Sequence, residues 1–542
     1  PGKTELFVRN LPPDATEDIV RRAFESIVEV RSVRVPLDAE GDCKGVAYVV
    51  VEKAHAVRVA AEMDGSTPAS LGFSKINVNV SHELKKDNPI KKDFINNSAT
   101  GNSFAIALNK HLVAREKAKD ILGVFKSRGL DFHALNLATA LHRVGVLGRT
   151  LEKGDLPLLQ LLVNRLERSI LDESDLYDPR ALANASWALA KLHSSSKHRV
   201  ESAALFNAIA YVVPPIMPRF NPQELANISW AFAKTETKNA SLFQAVAEQA
   251  IRRLSDFNPL DLANTTWAFT TSGFAPVHRP LFDAAAAEAR TKAELFSCQN
   301  LANTVWAYAK AGIEAPVLFQ AFAFVAVKKL PEFDSQNLAN VVWAFAKSGS
   351  ESLELFEAVA AEATPKLGQF NSQNLANVAW AFATAGVAAP KLFQGLADEA
   401  PKKISTFTPQ ALANTAWAFT KVGVKAPALF KMIEHEAVKK MGAFNAQTLA
   451  NVTWAFSTAN VPAPLLFKAA AGESVKKLAT FDPQNLSNTA WAFANAGEKS
   501  PFLFRAIERE VPKHIAAFNA QGLANLSWAY AKAGIEAPGV FK

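Results

Sequence analysis

The sequence predicts a small α+β domain with the element order β-α-β-β-α-β, followed by an α-solenoid of about eleven helix-pair repeats of 37 residues. Two observations lead there. Every tryptophan belongs to one recurring phrase: Trp187, Trp230, Trp267, Trp306, Trp343, Trp380, Trp417, Trp454, Trp491 and Trp528, with a constant step of 37 residues from Trp306 to Trp528. A period of that size marks stacked supersecondary units, each completing the apolar face of the next. The first 80 residues lack the period and alternate β-branched runs with segments of helical spacing. The expected organisation is therefore a domain over 1–80, a basic flexible linker over 81–103 and a solenoid over 104–542, with tryptophan repeats from about 177.

Composition sets the frame. The chain has 542 residues, 49% of them hydrophobic and 20% charged, which suits a folded protein, and a solenoid has no single core to outgrow. Two cysteines, Cys43 and Cys298, cannot build a disulfide framework and point to a reducing compartment. No apolar run reaches the roughly 18 residues of a membrane span, so no membrane partner is expected. Pro1 and Phe541-Lys542 both read as cut ends, leaving room for a targeting peptide or a further C-terminal domain. The net charge of +8 is uneven: residues 1–80 carry 10 Lys+Arg against 12 Asp+Glu, while 81–128 carry 10 against 5. A basic balance suits a polyanionic partner and favours nucleic acid modestly.

In the first domain, Leu6-Phe7-Val8 is a β-run stopped by Asn10-Leu11-Pro12-Pro13. Thr16 to Ile27 has helical spacing, with Thr16 as N-cap and Glu17 and Asp18 in the first turn. Val30–Leu37 alternates, Glu40-Gly41-Asp42 turns, Val46–Val51 is β-branched, Lys53–Met63 is helical, and Ile76–Val80 alternates again. This order is the split βαβ unit. The domain resembles an RNA-recognition motif over about 80 residues. Leu6-Phe7-Val8-Arg9-Asn10-Leu11 matches the family's shorter motif, and Lys44-Gly45-Val46-Ala47-Tyr48-Val49-Val50-Val51 its longer one. The resemblance implies that Phe7 and Tyr48 stack unpaired bases while Lys44 or Arg9 meets phosphate. Val46 departs from the pattern, lacking the ring usual at its position. The other reading is that Phe7 and Tyr48 lie under a neighbouring element, as in members that bind protein. In the linker, Lys85, Lys86, Lys91 and Lys92 read as a solvated tether.

Each repeat opens with an aromatic ten residues before its tryptophan (Tyr177, then Phe220 through Phe518), followed by an N-cap residue and often proline, as in Asp482-Pro483. Glycine six residues after the tryptophan closes the helix, as at Gly312, Gly349, Gly386 and Gly423. A second helix starts near Pro316, Pro390, Pro427 or Pro464, carries a Leu-Phe pair, and often ends in Lys-Lys, as at Lys328-Lys329 and Lys476-Lys477.

Unrolled at about 100° per residue, the first helix shows two apolar faces, one with Leu five before and Phe or Tyr two after the tryptophan, the other with the tryptophan itself. A polar stripe runs between them at −7, −3 and +4: Gln299, Asn303 and Lys310; Gln336, Asn340 and Lys347; Gln373 and Asn377; Asn414 and Lys421; then Asn451, Asn488 and Asn525. The asparagine recurs in all ten tryptophan repeats. It reads either as a buried ladder, each amide bonded to neighbouring backbone, or as a rail of amides and ammonium groups along a sugar–phosphate strand. The tryptophans read as core packing, with base stacking as the other reading. The residue six before each tryptophan varies (Ala181, Glu224, Asp261, Asn300, Asn337, Asn374, Ala411, Thr448, Asn485, Gly522) and reads as tolerant surface or as a base reader.

The phrase, exemplified by FDPQNLSNTAWAFANAG with its Leu-Phe helix, resembles the octotricopeptide repeats of organellar RNA-binding proteins over roughly 130–542, with a degenerate first unit at Asn136–Gly145 where Thr139 replaces tryptophan. The resemblance implies a mitochondrial or plastid protein acting on processing, stability, translation or assembly of RNA. No recurrent His/Cys or His/Glu pair, phosphate loop or paired carboxylates stand out, so neither enzymatic activity nor a cofactor or metal is expected. The leading expectation is an RNA-binding adaptor that engages single-stranded or structured organellar RNA through the concave face of the solenoid and the N-terminal domain. The alternatives are a structural subunit of a large ribonucleoprotein, such as an organellar ribosome with ribosomal protein partners, and a protein-interaction scaffold.

Overall fold

The computed structural model describes residues 3–37, 43, 46–52, 55, 59, 63, 76–81, 101–194 and 200–541. The chain divides into two compact units, Pro1–Ala114 with Gly123–Asn136, and Arg115–Leu122 with Leu137–Lys542.

The first unit contains a four-stranded antiparallel sheet in the order β2-β3-β1-β4, from β1 (Lys3–Arg9), β2 (Ser32–Arg34), β3 (Val46–Glu52) and β4 (Asn77–Ser81). Alternation along the strands turns Leu6, Val8, Val33, Ala47, Val49, Val51 and Val78 inward, where Val20 and Phe24 of helix α1 (Glu17–Glu25) join them. Thr16 caps α1 as expected, its hydroxyl accepting from the Ile19 amide at 3.4 Å. The second strand is shorter than the alternation from Val30 to Leu37 suggested. Of the expected helix Lys53–Met63, only His55, Val59 and Met63 lie among the described residues, and they are helical. The linker lysines fall outside the described residues. Helix Gly101–Val113 begins inside the segment read as linker, so that segment's last three residues are helical.

The second unit is an α-solenoid: from Pro179 to Phe518 each repeat is a first helix, a second helix and a 3-10 turn, ending on the aromatic that starts the next unit, which is buried at every junction but Phe518. All ten N-caps expected before the first helices form, from Asp178, accepting from the Ala181 amide, to Asn519, accepting from that of Gly522. The left-handed turn that ends the helix is taken by Gly312, Gly349, Gly386, Gly423, Gly497 and Gly534, and by Asn460 (φ 53°) and Glu236 (φ 57°) where glycine is missing.

Packing between repeats rests on an aromatic pair repeated along the array. The phenylalanine of each Leu-Phe pair meets, close to edge-on, the aromatic two residues after the next tryptophan. Phe319–Phe345, Phe356–Phe382, Phe393–Phe419, Phe430–Phe456 and Phe467–Phe493 have ring centroids 5.0–5.1 Å apart. Burying each phenylalanine contributes about 1.5–3 kcal/mol, and the paired geometry about 0.5–1.5 more.

The terminal lysine of the second helix is a second staple. Lys440 Nζ donates to the Ser405 carbonyl in the last turn of the preceding repeat at 2.6 Å and to that of Phe407, which opens its own repeat, at 2.8 Å, and pairs with Glu436. Lys292, Lys329, Lys403 and Lys477 repeat the carbonyl contacts, and Arg253 substitutes at Phe220. The preceding lysines Lys328, Lys402, Lys439, Lys476 and Lys513 pair with Glu294, Glu399, Glu436, Glu473 and Glu510. The Lys-Lys ends are therefore structural ties.

Candidate nucleic-acid interface

The first helices pack closely on one another from repeat to repeat, the second helices only sparingly. Around each first helix most of the circumference is buried, and the four positions −7, −3, 0 and +4 from the tryptophan are left at the surface. At about 100° per residue they span only about 60° of arc. They therefore line up, repeat after repeat, as one strip along the array.

Gln299, Gln336, Gln373, Lys310, Lys347 and Lys421 are exposed on the strip; Asn303, Asn340, Asn377, Asn414, Asn451, Asn488 and Asn525 are half-buried. Among the described residues, none of the ten asparagines makes a side-chain hydrogen bond, and none of their amide atoms is buried without a partner. The expected bonded ladder is thus absent, and the amides open to solvent. The degenerate unit shows the contrast: Asn136 is fully buried, its amide donating to the Ala105 carbonyl at 2.8 Å and to Asn109 Oδ1 at 2.9 Å.

The tryptophans correct the expectation of core packing. Nine are half-buried and Trp528 is 42% exposed. The rings follow one another along the strip, with centroids 6.5 Å apart at Trp230–Trp267, 6.4 Å at Trp306–Trp343, 6.2 Å at Trp343–Trp380 and 5.9 Å at Trp491–Trp528. They are the strip residues that sequence reasoning left out, although the wheel puts tryptophan only about 60° from the asparagine.

The variable position six before the tryptophan is also corrected. It is buried at Asp261, Asn337, Asn374, Ala411, Thr448, Asn485 and Gly522. Its backbone amide is the donor to the N-cap side chain, as Asn374 N donates to Asn371 Oδ1 at 2.8 Å. At these seven sites it is neither tolerant surface nor a group facing a ligand.

No Asp or Glu occupies any strip position in the ten repeats. The +4 position is lysine in six of them (Lys191, Lys234, Lys310, Lys347, Lys421, Lys532) and Thr271, Thr384, Thr458 or Asn495 otherwise. The −7 position is Arg180, Leu260 or, in the other eight, glutamine. Cations gather at Trp187, where Lys191 Nζ lies 4.6 Å from the ring centroid. Burial, then Arg143, Arg180 and Lys191, push the pKa of His142 below its ordinary value there.

On the N-terminal sheet, Phe7 and Tyr48 are cross-strand partners with ring centroids 5.0 Å apart, both half-buried. Arg34 pairs with Tyr48 across β2 and β3 and holds its guanidinium 4.5 Å from the Tyr48 ring centroid. Sequence reasoning missed Arg34; the register reveals it. Lys44 and the Arg9 side chain lie outside the described residues. Among the described residues, no cluster of three or more His, Cys, Asp or Glu could hold a metal ion, and no helix is long and apolar enough to cross a membrane.

The family model described as "RNA-editing substrate-binding complex 6 protein" matches residues 183–388 and 368–538, well over half the chain. The chain belongs to that family. Residues 6–70 of this RNA-editing substrate-binding complex 6 family member match the model of the RNA recognition motif. Both matches bear out an RNA-binding type of protein built on helical repeats, and the octotricopeptide label is finer than they reach. No curated protein matches the chain. Among solved structures, a homology model of the full-length AP-3 complex in an intermediate open conformation is 8% identical over 83% of this chain and 95% of that one, with a TM-score of 0.24. A circular tandem repeat protein with novel repeat topology and enhanced subunit contact surfaces is 10% identical over 77% and 97%, with a TM-score of 0.17. At these scores neither likeness bears on the fold or the site.

Proposed function

We propose that the protein is a non-enzymatic RNA-binding adaptor of organellar gene expression, in mitochondria or plastids, holding RNA along the strip of its first helices and against the Phe7–Tyr48 face of its N-terminal sheet. The observation that carries the reading is the strip itself: ten repeats of open amide, half-exposed indole and frequent lysine with no carboxylate among them. Lysine and arginine neutralise phosphates, amides donate to phosphate and base edges, and rings stack on bases. The two matched families support an RNA partner. The family's name, that of a substrate-binding complex, favours work within a ribonucleoprotein assembly, so a structural subunit of such an assembly is the second reading.

The test is charge removal on the strip. Changing Lys310→Gln, Lys347→Gln and Lys421→Gln together is expected to weaken RNA binding by the full chain. Each lost phosphate contact should reduce the salt slope of log K by about 0.7. The same change at Lys328, Lys402 and Lys476 on the second helices is expected to leave affinity and slope almost untouched. Equal effects from both sets would refute the strip as the binding surface.

A further inference from the structure

We infer that the strip is a sequence-blind track for unpaired RNA, its tryptophan rings stacking against bases of any identity; this rests on the RNA reading of the strip given above. Reading a sequence with a helical repeat requires side chains that face the ligand and differ between repeats. Here asparagine and tryptophan recur in all ten repeats and glutamine in eight, and the +4 position alternates only among lysine, threonine and asparagine. The position that does vary, six before the tryptophan, is buried behind the N-cap at seven of its ten sites and half-buried at Ala181, Glu224 and Asn300. Most of that variation is thus withdrawn from the ligand and the constant chemistry is presented to it.

That constant chemistry suits unselective contact. Every base has a π-face, so exposed indole rings 5.9–6.5 Å apart offer stacking to all four. An unbonded carboxamide both donates and accepts, and so adapts to any base edge. In an RNA duplex the base faces are occupied by their neighbours, so the rings can take only a strand whose bases are splayed out. The Trp267 repeat, with Leu260 and Thr271 at the outer positions, keeps ring and amide but no cation there. Stacking and the amide together carry the strand past it.

The tryptophans also supply the readout. All ten lie on the strip and the N-terminal domain has none, so indole fluorescence of the full chain reports strip occupancy alone. Titration at low salt would use oligo(U), oligo(A), a mixed-sequence single strand and an RNA duplex, each of about 20 nucleotides, with anisotropy of the labelled RNA as an independent measure of binding. The expected result is quenching by all three single strands, with Kd values within about threefold of one another, and far weaker binding of the duplex. The pair Asn340→Asp with Asn377→Asp breaks no hydrogen bond, and is expected to keep the melting profile while weakening single-strand binding about tenfold by placing two carboxylates on the track. Binding without quenching, a preference above about tenfold for one sequence, equal affinity for the duplex, or an inert Asp pair would each overturn the inference while leaving RNA binding intact. Failure to bind any of the four would remove the RNA-binding function itself.

Discussion

Asn377 and Phe382 lie on the same helix and have opposite duties. Phe382 is fully buried with its ring 5.0 Å from Phe356, while the Asn377 amide has no partner and faces solvent. Phe382→Ala should cost about 3–5 kcal/mol through lost burial and the cavity left behind. Asn377→Ala should change stability by no more than about 0.5 kcal/mol, since alanine is also the better helix former, yet lower RNA affinity. Hydrogen exchange in the Trp380 repeat, measured beside RNA binding, separates the two. Comparable destabilisation by both changes would mean that the amide is structural after all. The strip was partly legible in the sequence because the 3.6-residue period puts Gln373 and Asn377 on one face whatever the tertiary structure. The tryptophans were misplaced because a large apolar ring reads as core, and only repeat-to-repeat packing shows that the first helices leave part of each ring uncovered. The residue before Leu375 looked like free surface because it varies. Its invariant task falls to its backbone amide, which Asn374, Ala411 and Thr448 perform equally well.

At the scale of the element, helix ends are where sequence rules and structure agree best, and the exceptions are informative. Glu236 ends its helix in the left-handed conformation that glycine takes in most repeats. A side chain there costs about 1–2 kcal/mol, so Glu236→Gly is expected to stabilise the Trp230 repeat by roughly 1 kcal/mol, less the greater freedom glycine has in the unfolded chain. Protection factors in residues 222–252 check this, and unchanged or lower protection would contradict it. The Lys-Lys ends were legible as a pattern, but their purpose was not, because the carbonyls they hold lie far back in the chain, at the junction with the preceding repeat. Hydrogen bonds from Lys402 and Lys403 lower the pKa of Glu399, those from Lys440 and Lys477 chiefly lower Glu436 and Glu473, and that from Lys513 chiefly lowers Glu510. A depressed carboxylate contributes stability that is present above its unfolded-state value and is lost as pH falls through the folded one. Stability of the array should hold at neutral pH and decline once pH drops below about 4.5. A thermal-melting series across pH checks this. A loss centred near pH 6.5 would point to histidines instead.

At the scale of the whole molecule, each repeat rests chiefly on its neighbours through the phenylalanine pairs and the lysine staples, so stability is expected to behave as a sum of local and nearest-neighbour contributions. The 37-residue period made this architecture readable at once, and Thr139 in place of tryptophan marked the unit where the pattern fades. The direction in which the strip faces was not readable, since it depends on which row of helices packs more closely. A ligand that spans many repeats stabilises the folded array by RT ln(1 + L/Kd), with L the free ligand concentration, so bound RNA should suppress opening along the array rather than at one site. The most direct measurement is ultraviolet crosslinking of the full chain to single-stranded RNA, with adducts mapped by mass spectrometry. Adducts are expected on strip residues of several repeats, among them Trp306, Asn340, Lys347, Trp380 and Lys421, together with Phe7 or Tyr48. Adducts confined to the second helices, with none on the strip, would contradict the assignment of the first-helix face as the RNA-binding surface.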